Sequence, residues 1–222
     1  MDFLLTFMEF SILIQQLEKE LKKPLPGKQF QLRMSAISRI REIMDFSHQS
    51  YAIRSSVLIL LFPAGKNGDA CLVLILRPRY DGVHSGQIAL PGGRFENSDG
   101  DLLNTALREA REEIGIDPEK VRIIGQLTEL YIPPSNYLVI PFIGFVPDEP
   151  LFRPDLQEVE EIIVIRLRDL IEERSLKRKK FVVSSGLKVT APCYDVDGHL
   201  IWGATAMILS EFREIVKRGS GI

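Results

Sequence analysis

Residues 92–116 read GGRFENSDGDLLNTALREAREEIGI, and this stretch decides the fold. The turn Pro91-Gly92-Gly93 leads into a segment of helical periodicity that stops at Gly115. Asp99 or Asp101 can cap its start, Gly115 suits the left-handed residue beyond its end, and Asp117-Pro118 prevents continuation. At about 100° per residue, Leu103, Leu107, Ala110 and Ile114 share one arc, the expected core face. Glu109, Glu112 and Glu113 fall in the neighbouring arc at i, i+3 and i+4, where side chains converge. Like charges so placed destabilise a bare helix by roughly a few tenths of a kcal/mol per pair. A hard divalent cation reverses the sign, because it takes carboxylate oxygen. The competing reading of these residues alone is a solvated face laced with Arg108 and Arg111.

Working outward, residues 57–62 and 71–76 are continuous apolar runs joined by PAGKNGDA, whose Asn67-Gly68 pair supports a turn. They read as a hairpin with both strands buried. A polar glycine-containing loop spans 77–87 and a short apolar run 88–90. Residues 121–131, 137–146 and 159–167 read as further strands, and 168–173 as a short helix. Residues 181–184 and 188–194 suggest a late hairpin or loop pair, with a turn at Asp197-Gly198. Residues 204–217 form a final amphipathic helix with Ala206, Leu209, Phe212 and Val216 inward. Strands interleaved with packed helices imply an α/β architecture in layers.

The chain has 222 residues and a net charge of −2, so bulk charge does not point to nucleic acid. Cys71 and Cys193 stand far apart in no metal-ligand spacing, which suits a reduced, cytoplasmic protein. At the N-terminus, Asp2 and Glu9 stand where a signal peptide needs positive charge, and the apolar run stops short of the ~18 residues of a membrane span. Ile14, Leu17 and Leu21 recur at helical spacing before Pro24, and residues 31–47 are mixed helix and loop. Residues 1–50 are therefore expected to be a helical extension on a main domain of residues 51–222. The native start is open between Met1 and Met8, and the Phe-rich beginning allows a homodimer.

With its glycines included, the stretch resembles the Nudix box, the signature of the Nudix hydrolases. Gly93, Arg108, Glu109, Glu112, Glu113, Gly115 and Ile116 carry the match. Fourteen residues, 94–107, separate the glycine from the arginine where the usual pattern has thirteen, and Asp99 stands where its first glutamate is usual. The resemblance implies a Nudix-fold α/β/α sandwich with a mixed β-sheet. It implies hydrolysis of a nucleoside diphosphate linked to another moiety, with Mg2+ or Mn2+ held by Glu109, Glu112 and Glu113. Glu112 is the implied general base, with Glu158, Glu160 and Glu161 as alternatives. Arg108 and Gly115 have structural roles, and Gly93 lets the loop approach the metal.

The longer box and Asp99 resemble the coenzyme A diphosphatase branch. Upstream, Arg77, Gly86, Pro91, Gly92 and Gly93 match that branch's segment, while Ile75, Pro78, Gly82 and Leu90 depart from it. Residues 135–144, Glu158-Val159 and 201–206 are also similar, so the resemblance spans about 55–216. The implied substrate is CoA or acyl-CoA, cleaved to 3′,5′-ADP and 4′-phosphopantetheine or its acyl form. Another diphosphate specificity (ADP-ribose, NADH or a dinucleoside polyphosphate) and a non-catalytic nucleotide sensor are the alternatives. Arg77 and Arg79 are the candidate substrate cations. His84 is open to substrate contact or to stabilising its loop. Lys177 to Lys180 read as a solvated basic turn, with contact to the 3′-phosphate of CoA as the rival, and Trp202 reads as core rather than a stacking platform.

Overall fold

The computed structural model describes residues 10–36, 40–44, 51–82, 84–182, 186 and 188–221. In chain order the elements are α1 (Phe10–Glu20), α2 (Lys28–Leu32), α3 (Ile40–Met44), β1 (Ile53–Ala64), β2 (Asp69–Leu76), β3 (Ile88–Ala89) and β4 (Gly92–Arg94). There follow α4 (Leu102–Ile114), β5 (Arg122–Gln126), β6 (Leu130–Ile132), β7 (Tyr137–Phe145), β8 (Glu161–Arg166), α5 (Leu167–Ile171), β9 (Leu176–Val182), β10 (Lys188–Val196), β11 (His199–Trp202) and α6 (Gly203–Ser220). Residues 1–9, which carry the expectations about the start site and a homodimer, lie outside the described residues, as do parts of 31–47 and 181–184.

The main sheet runs β3-β2-β1-β7-β5, with β4 also on β1, β6 on β7 and β8 on β2. β1 and β7 are parallel, from Ile53 opposite Tyr137 to Leu61 opposite Phe145, and the other pairs are antiparallel. The sheet is therefore mixed, as expected. Its central strands are apolar on both faces, the pattern of a strand covered on both sides. Along β1, Leu58, Leu60 and Phe62 pack in one core with Ala106, Ala110 and Ile114 of α4. Ile59 and Leu61 pack in the other with Leu13, Leu17, Leu209 and Phe212 of α1 and α6. Helices on both faces of the sheet make the α/β/α sandwich. Among the described residues no helix is long and apolar enough to cross a membrane, and both cysteines are free and buried.

Three details differ from the sequence reading. The strand expected over 121–131 is broken between β5 and β6, because Thr128 turns to give its hydroxyl (2.6 Å) and its N–H (3.4 Å) to the buried Glu211 of α6. Lys177 to Lys180 are not a turn; they lie in β9, the edge of a second sheet ordered β11-β10-β9. Charged side chains on an edge strand oppose pairing with other chains. On α4 the buried arc is Leu102, Thr105, Ala106, Ala110, Glu113 and Ile114, so Leu103 and Leu107 are only partly covered and one glutamate lies inside the core-facing arc.

Candidate active site

The position of α4 is set at both ends. Asp101 accepts the N–H of Asn104 at 2.8 Å, and Gly115 adopts φ 71° while its N–H reaches the Arg111 carbonyl. The segment from Arg153 to Asp155 then covers the end of the helix. Arg153 N–H donates to the Ile114 carbonyl (2.9 Å) and Asp155 N–H to the Glu113 carbonyl (3.2 Å). A Cβ on Gly115 would lie 2.7 Å from the Arg153 Cβ, so that residue is confined by space as well as by φ.

β4 brings the two glycines to the helix. It pairs with β1 through Val57 opposite Gly92 and Ser56 opposite Gly93. The Gly92 N–H donates to Glu113 Oε2 at 2.8 Å. A Cβ on Gly93 would stand 2.5–2.6 Å from the carboxylate of Glu109, so only glycine allows this approach. The Arg77 guanidinium donates to the Gly92 carbonyl at 3.2 Å and lies 3.8 Å from Glu113 Oε1.

Arg108 organises the outer part of the cluster. It makes a bidentate pair with Asp99, at 2.7 and 3.2 Å, and donates to the Arg94 carbonyl at 3.0 Å. Its Nη1 stands 2.8 Å from both Glu109 Oε1 and Glu112 Oε2. Asp99 also accepts from Thr105 Oγ1 and Glu96 N–H. Led by the Arg108 hydrogen bonds, these partners hold its carboxyl down at about 2. Asp99 is therefore the fixed counter-ion of Arg108 and not the cap of α4.

The three glutamates differ in setting. The Glu113 side chain is 3% exposed, and burial pushes its carboxyl up to about 8, helped by Glu109 and Glu158 and opposed by Arg77 and Gly92. Burial also raises Glu109, against the pull of Arg108, with Glu112 and Glu158 adding to the rise. The Glu112 side chain is 45% exposed and faces solvent. Glu158 is exposed yet close enough to act on both Glu109 and Glu113. Glu160 and Glu161 are exposed at the start of β8, beside Leu76.

Among the described residues no three His, Cys, Asp or Glu side chains converge closely enough to hold a metal ion as they stand. Arg108 occupies the space between Glu109 and Glu112. The chemistry nonetheless suits a divalent cation. The donors are all hard oxygens, and Glu109 and Glu113 are carboxylates whose proton affinity burial raises, so a bound cation would favour their charged forms.

A cleft of about 470 Å³ opens beside the cluster, with Arg77, Gly92 and Gly93 at one end and Ile132, Tyr137 and Thr205 farther along. His84 lines it too, at φ 68°, with its Nδ1 3.2 Å from Gln87 Oε1. Arg79 is exposed and is not on the cleft wall, and Lys177 to Lys180 do not reach it. Trp202 is half-buried against Phe181, ring centroids 4.3 Å apart and stacked, beside a smaller chamber next to the cleft. Sequence reasoning named the glutamates, Arg108 and Gly93. It missed the Gly92 N–H on Glu113, the direction of Arg77 and the covering segment at Arg153.

The family model described as NUDIX domain matches residues 52–183. The chain is 29% identical over 168 residues to the mitochondrial coenzyme A diphosphatase NUDT8 of Homo sapiens, covering 75% of this chain and 71% of that protein. It is 36% identical over 162 residues to Nudix hydrolase 15, mitochondrial, of Arabidopsis thaliana, covering 70% of this chain and only 56% of that protein. Among solved structures, RenU, a Nudix hydrolase from M. smegmatis, superposes with a TM-score of 0.54 at 16% identity, over 75% of this chain and 87% of that one, a likeness of fold.

Proposed function

The chain belongs to the Nudix hydrolase family, enzymes that act on pyrophosphate bonds, and from that premise we propose a divalent-metal-dependent diphosphatase of CoA or acyl-CoA. The products are 3′,5′-ADP and 4′-phosphopantetheine or its acyl form. Water adds to one phosphorus, the bridging P–O bond breaks, and the bridging oxygen leaves with the other phosphate.

One arrangement carries the reading: Arg77, Gly92 and Gly93 line an open cleft and also touch the glutamate helix, Gly92 and Arg77 at Glu113 and Gly93 against Glu109. Glu109, Glu112 and Glu113 would hold Mg2+ or Mn2+, with the Gly93 carbonyl as a further oxygen donor. The ion would withdraw charge from the diphosphate and lower the pKa of a water. Glu112, the exposed member, takes the proton of the attacking water at its carboxylate, and Glu158 is the nearest substitute. Arg77 stands on the cleft wall where a guanidinium can hold phosphate oxygens. Asp99 and Arg108 keep the helix and its loop in register. A reducing compartment such as the cytoplasm suits the two free cysteines.

The likeness to a coenzyme A diphosphatase and the segment shared around Arg77 and Gly86 support the CoA substrate. The departures at Ile75, Pro78, Gly82 and Leu90 keep ADP-ribose, NADH and dinucleoside polyphosphates in the test. The experiment is a panel of these compounds with Mg2+ and Mn2+, products read by mass. CoA turnover to 3′,5′-ADP supports the proposal. Hydrolysis of ADP-ribose without CoA rejects the substrate, and no hydrolysis of any diphosphate favours a sensor.

A further inference from the structure

We propose that one face of the second sheet is a docking surface for a bilayer rich in anionic phospholipid. Residues 176–190 contain five basic residues and no acidic one. The register of β9 and β10 sets Lys180 opposite Thr190 and Val182 opposite Lys188. Alternation along each strand then puts Arg178, Lys180, Val182, Lys188 and Thr190 on one face, and all five are exposed. Among the described residues Arg178, Lys180 and Lys188 make no ion pair, whereas Lys179, on the opposite face, is held by Asp195 at 2.9 Å. The positive face continues onto the end of α2, where the exposed Arg33 shares a groove with Leu176 and Arg178. The two acids of that groove are already paired, Glu173 with Arg213 and Lys217, and Glu214 with Arg218.

Guarding a sheet edge accounts for charge on β9 but not for Lys188, which stands on the inner strand β10. It is the diagonal neighbour of Lys180, and like charges so placed repel. An anionic surface turns that repulsion into attraction. The exposed apolar side chains select the occupant. Leu176 (42% exposed) and Val182 (65% exposed) stand at the two ends of β9 with Arg178 and Lys180 between them, roughly 20 Å apart. Apolar side chains that enter the acyl boundary, flanking cations that meet headgroups, suit a surface lying on a membrane. Nucleic acid single strands stack on aromatic faces. The aromatics of this sheet, Phe181 and Trp202, lie on its other face, stacked on each other. None of these residues lines the active-site cleft, so the surface and the site can be tested separately.

The test is cosedimentation of the full chain with vesicles of phosphatidylcholine, alone or mixed with phosphatidylglycerol, in about 0.1 M and about 1 M salt. The expected result is binding to the mixed vesicles only, weakened at the higher salt. Each basic side chain near an anionic surface strengthens binding roughly fivefold. Arg178→Gln, Lys180→Gln and Lys188→Gln together should therefore weaken it about 100-fold. A control with the same net charge, Lys66→Gln, Lys120→Gln and Arg122→Gln at exposed sites elsewhere, should bind like the wild type. Val182→Ser should weaken binding several-fold without changing its salt dependence. Thermal melts identify misfolding. If the triple variant misfolds, Lys188→Glu alone, a change of two charges, should weaken binding roughly 20-fold. No binding to the mixed vesicles, unchanged binding in the folded variants of this face, or an equal loss in the control overturns the proposal. So does tighter binding to polyuridylate than to the mixed vesicles, if it is lost in the same variants.

Discussion

In protein stripped of divalent cations, Glu113→Gln is expected to be more stable than the wild type, by a margin that widens as pH rises. Burial pushes the Glu113 carboxyl up to about 8 from an ordinary value of 4.5. The folded protein thus binds this proton more tightly than the unfolded chain does. Between those two values the unfolded chain ionises freely while the fold resists, so wild-type stability falls with rising pH. At about 1.4 kcal/mol per pH unit, the gap sets a ceiling of roughly 5 kcal/mol above pH 8. Water does little to screen it, because the side chain is 3% exposed. Glutamine keeps an oxygen for the Gly92 N–H and carries no charge to desolvate. The assay is urea unfolding in EDTA at pH 5, 6.5 and 8.5, paired with thermal melts. The two proteins should be close at pH 5. At pH 8.5 the variant should lead by several kcal/mol, each worth about 2–4 °C in Tm for a chain of this size. Added Mg2+ or Mn2+ should raise wild-type stability at pH 8.5 and narrow the difference. Parallel pH profiles for the two proteins would refute the reasoning.

Gly93→Ala should cut kcat by about 100-fold while leaving the urea midpoint nearly unchanged, because the new Cβ displaces the Glu109 carboxylate from a position only 2.5–2.6 Å away. Arg108→Met should cost about 3 kcal/mol by leaving the buried Asp99 without its partner. The stability due to the depressed Asp99 carboxyl is present above its ordinary value of 3.8 and is lost as pH falls toward about 2, so the gap between wild type and variant should narrow over that range. Glu211→Ala should lower stability by about 3 kcal/mol, since the Gly27 N–H, the Gln31 amide and the Thr128 hydroxyl all donate to this buried carboxylate. Glu211→Gln should recover part of that loss in the same thermal melt.

Local chemistry explains what could be read in the sequence. The limits of α4 follow from Asp101 and Gly115, and the first hairpin from Asn67-Gly68 between two apolar runs. These are short-range signals that the fold leaves alone. The misreadings share a long-range cause. The periodicity of α4 put Glu113 beside the core rather than in it, because the groups that make its burial tolerable, Gly92 N–H and Arg77, come from another strand and loop. The break between β5 and β6 answers to Glu211, 83 residues from Thr128. The basic run in β9 looked like a turn because charge is the local cue, while its pairing with β10 depends on a later strand. The same holds for the cleft, whose walls combine β1, the loop after β2, the segment after β6 and α6.

The central claim is that the glutamates of α4 run metal-dependent cleavage of a diphosphate. Its most direct test is the turnover of CoA by the wild type and by Glu112→Gln in Mg2+ or Mn2+, with products identified by mass and folding checked by thermal melt. The account predicts 3′,5′-ADP and 4′-phosphopantetheine from the wild type, and turnover lower by orders of magnitude in a folded variant. Wild-type-like turnover in Glu112→Gln would contradict it.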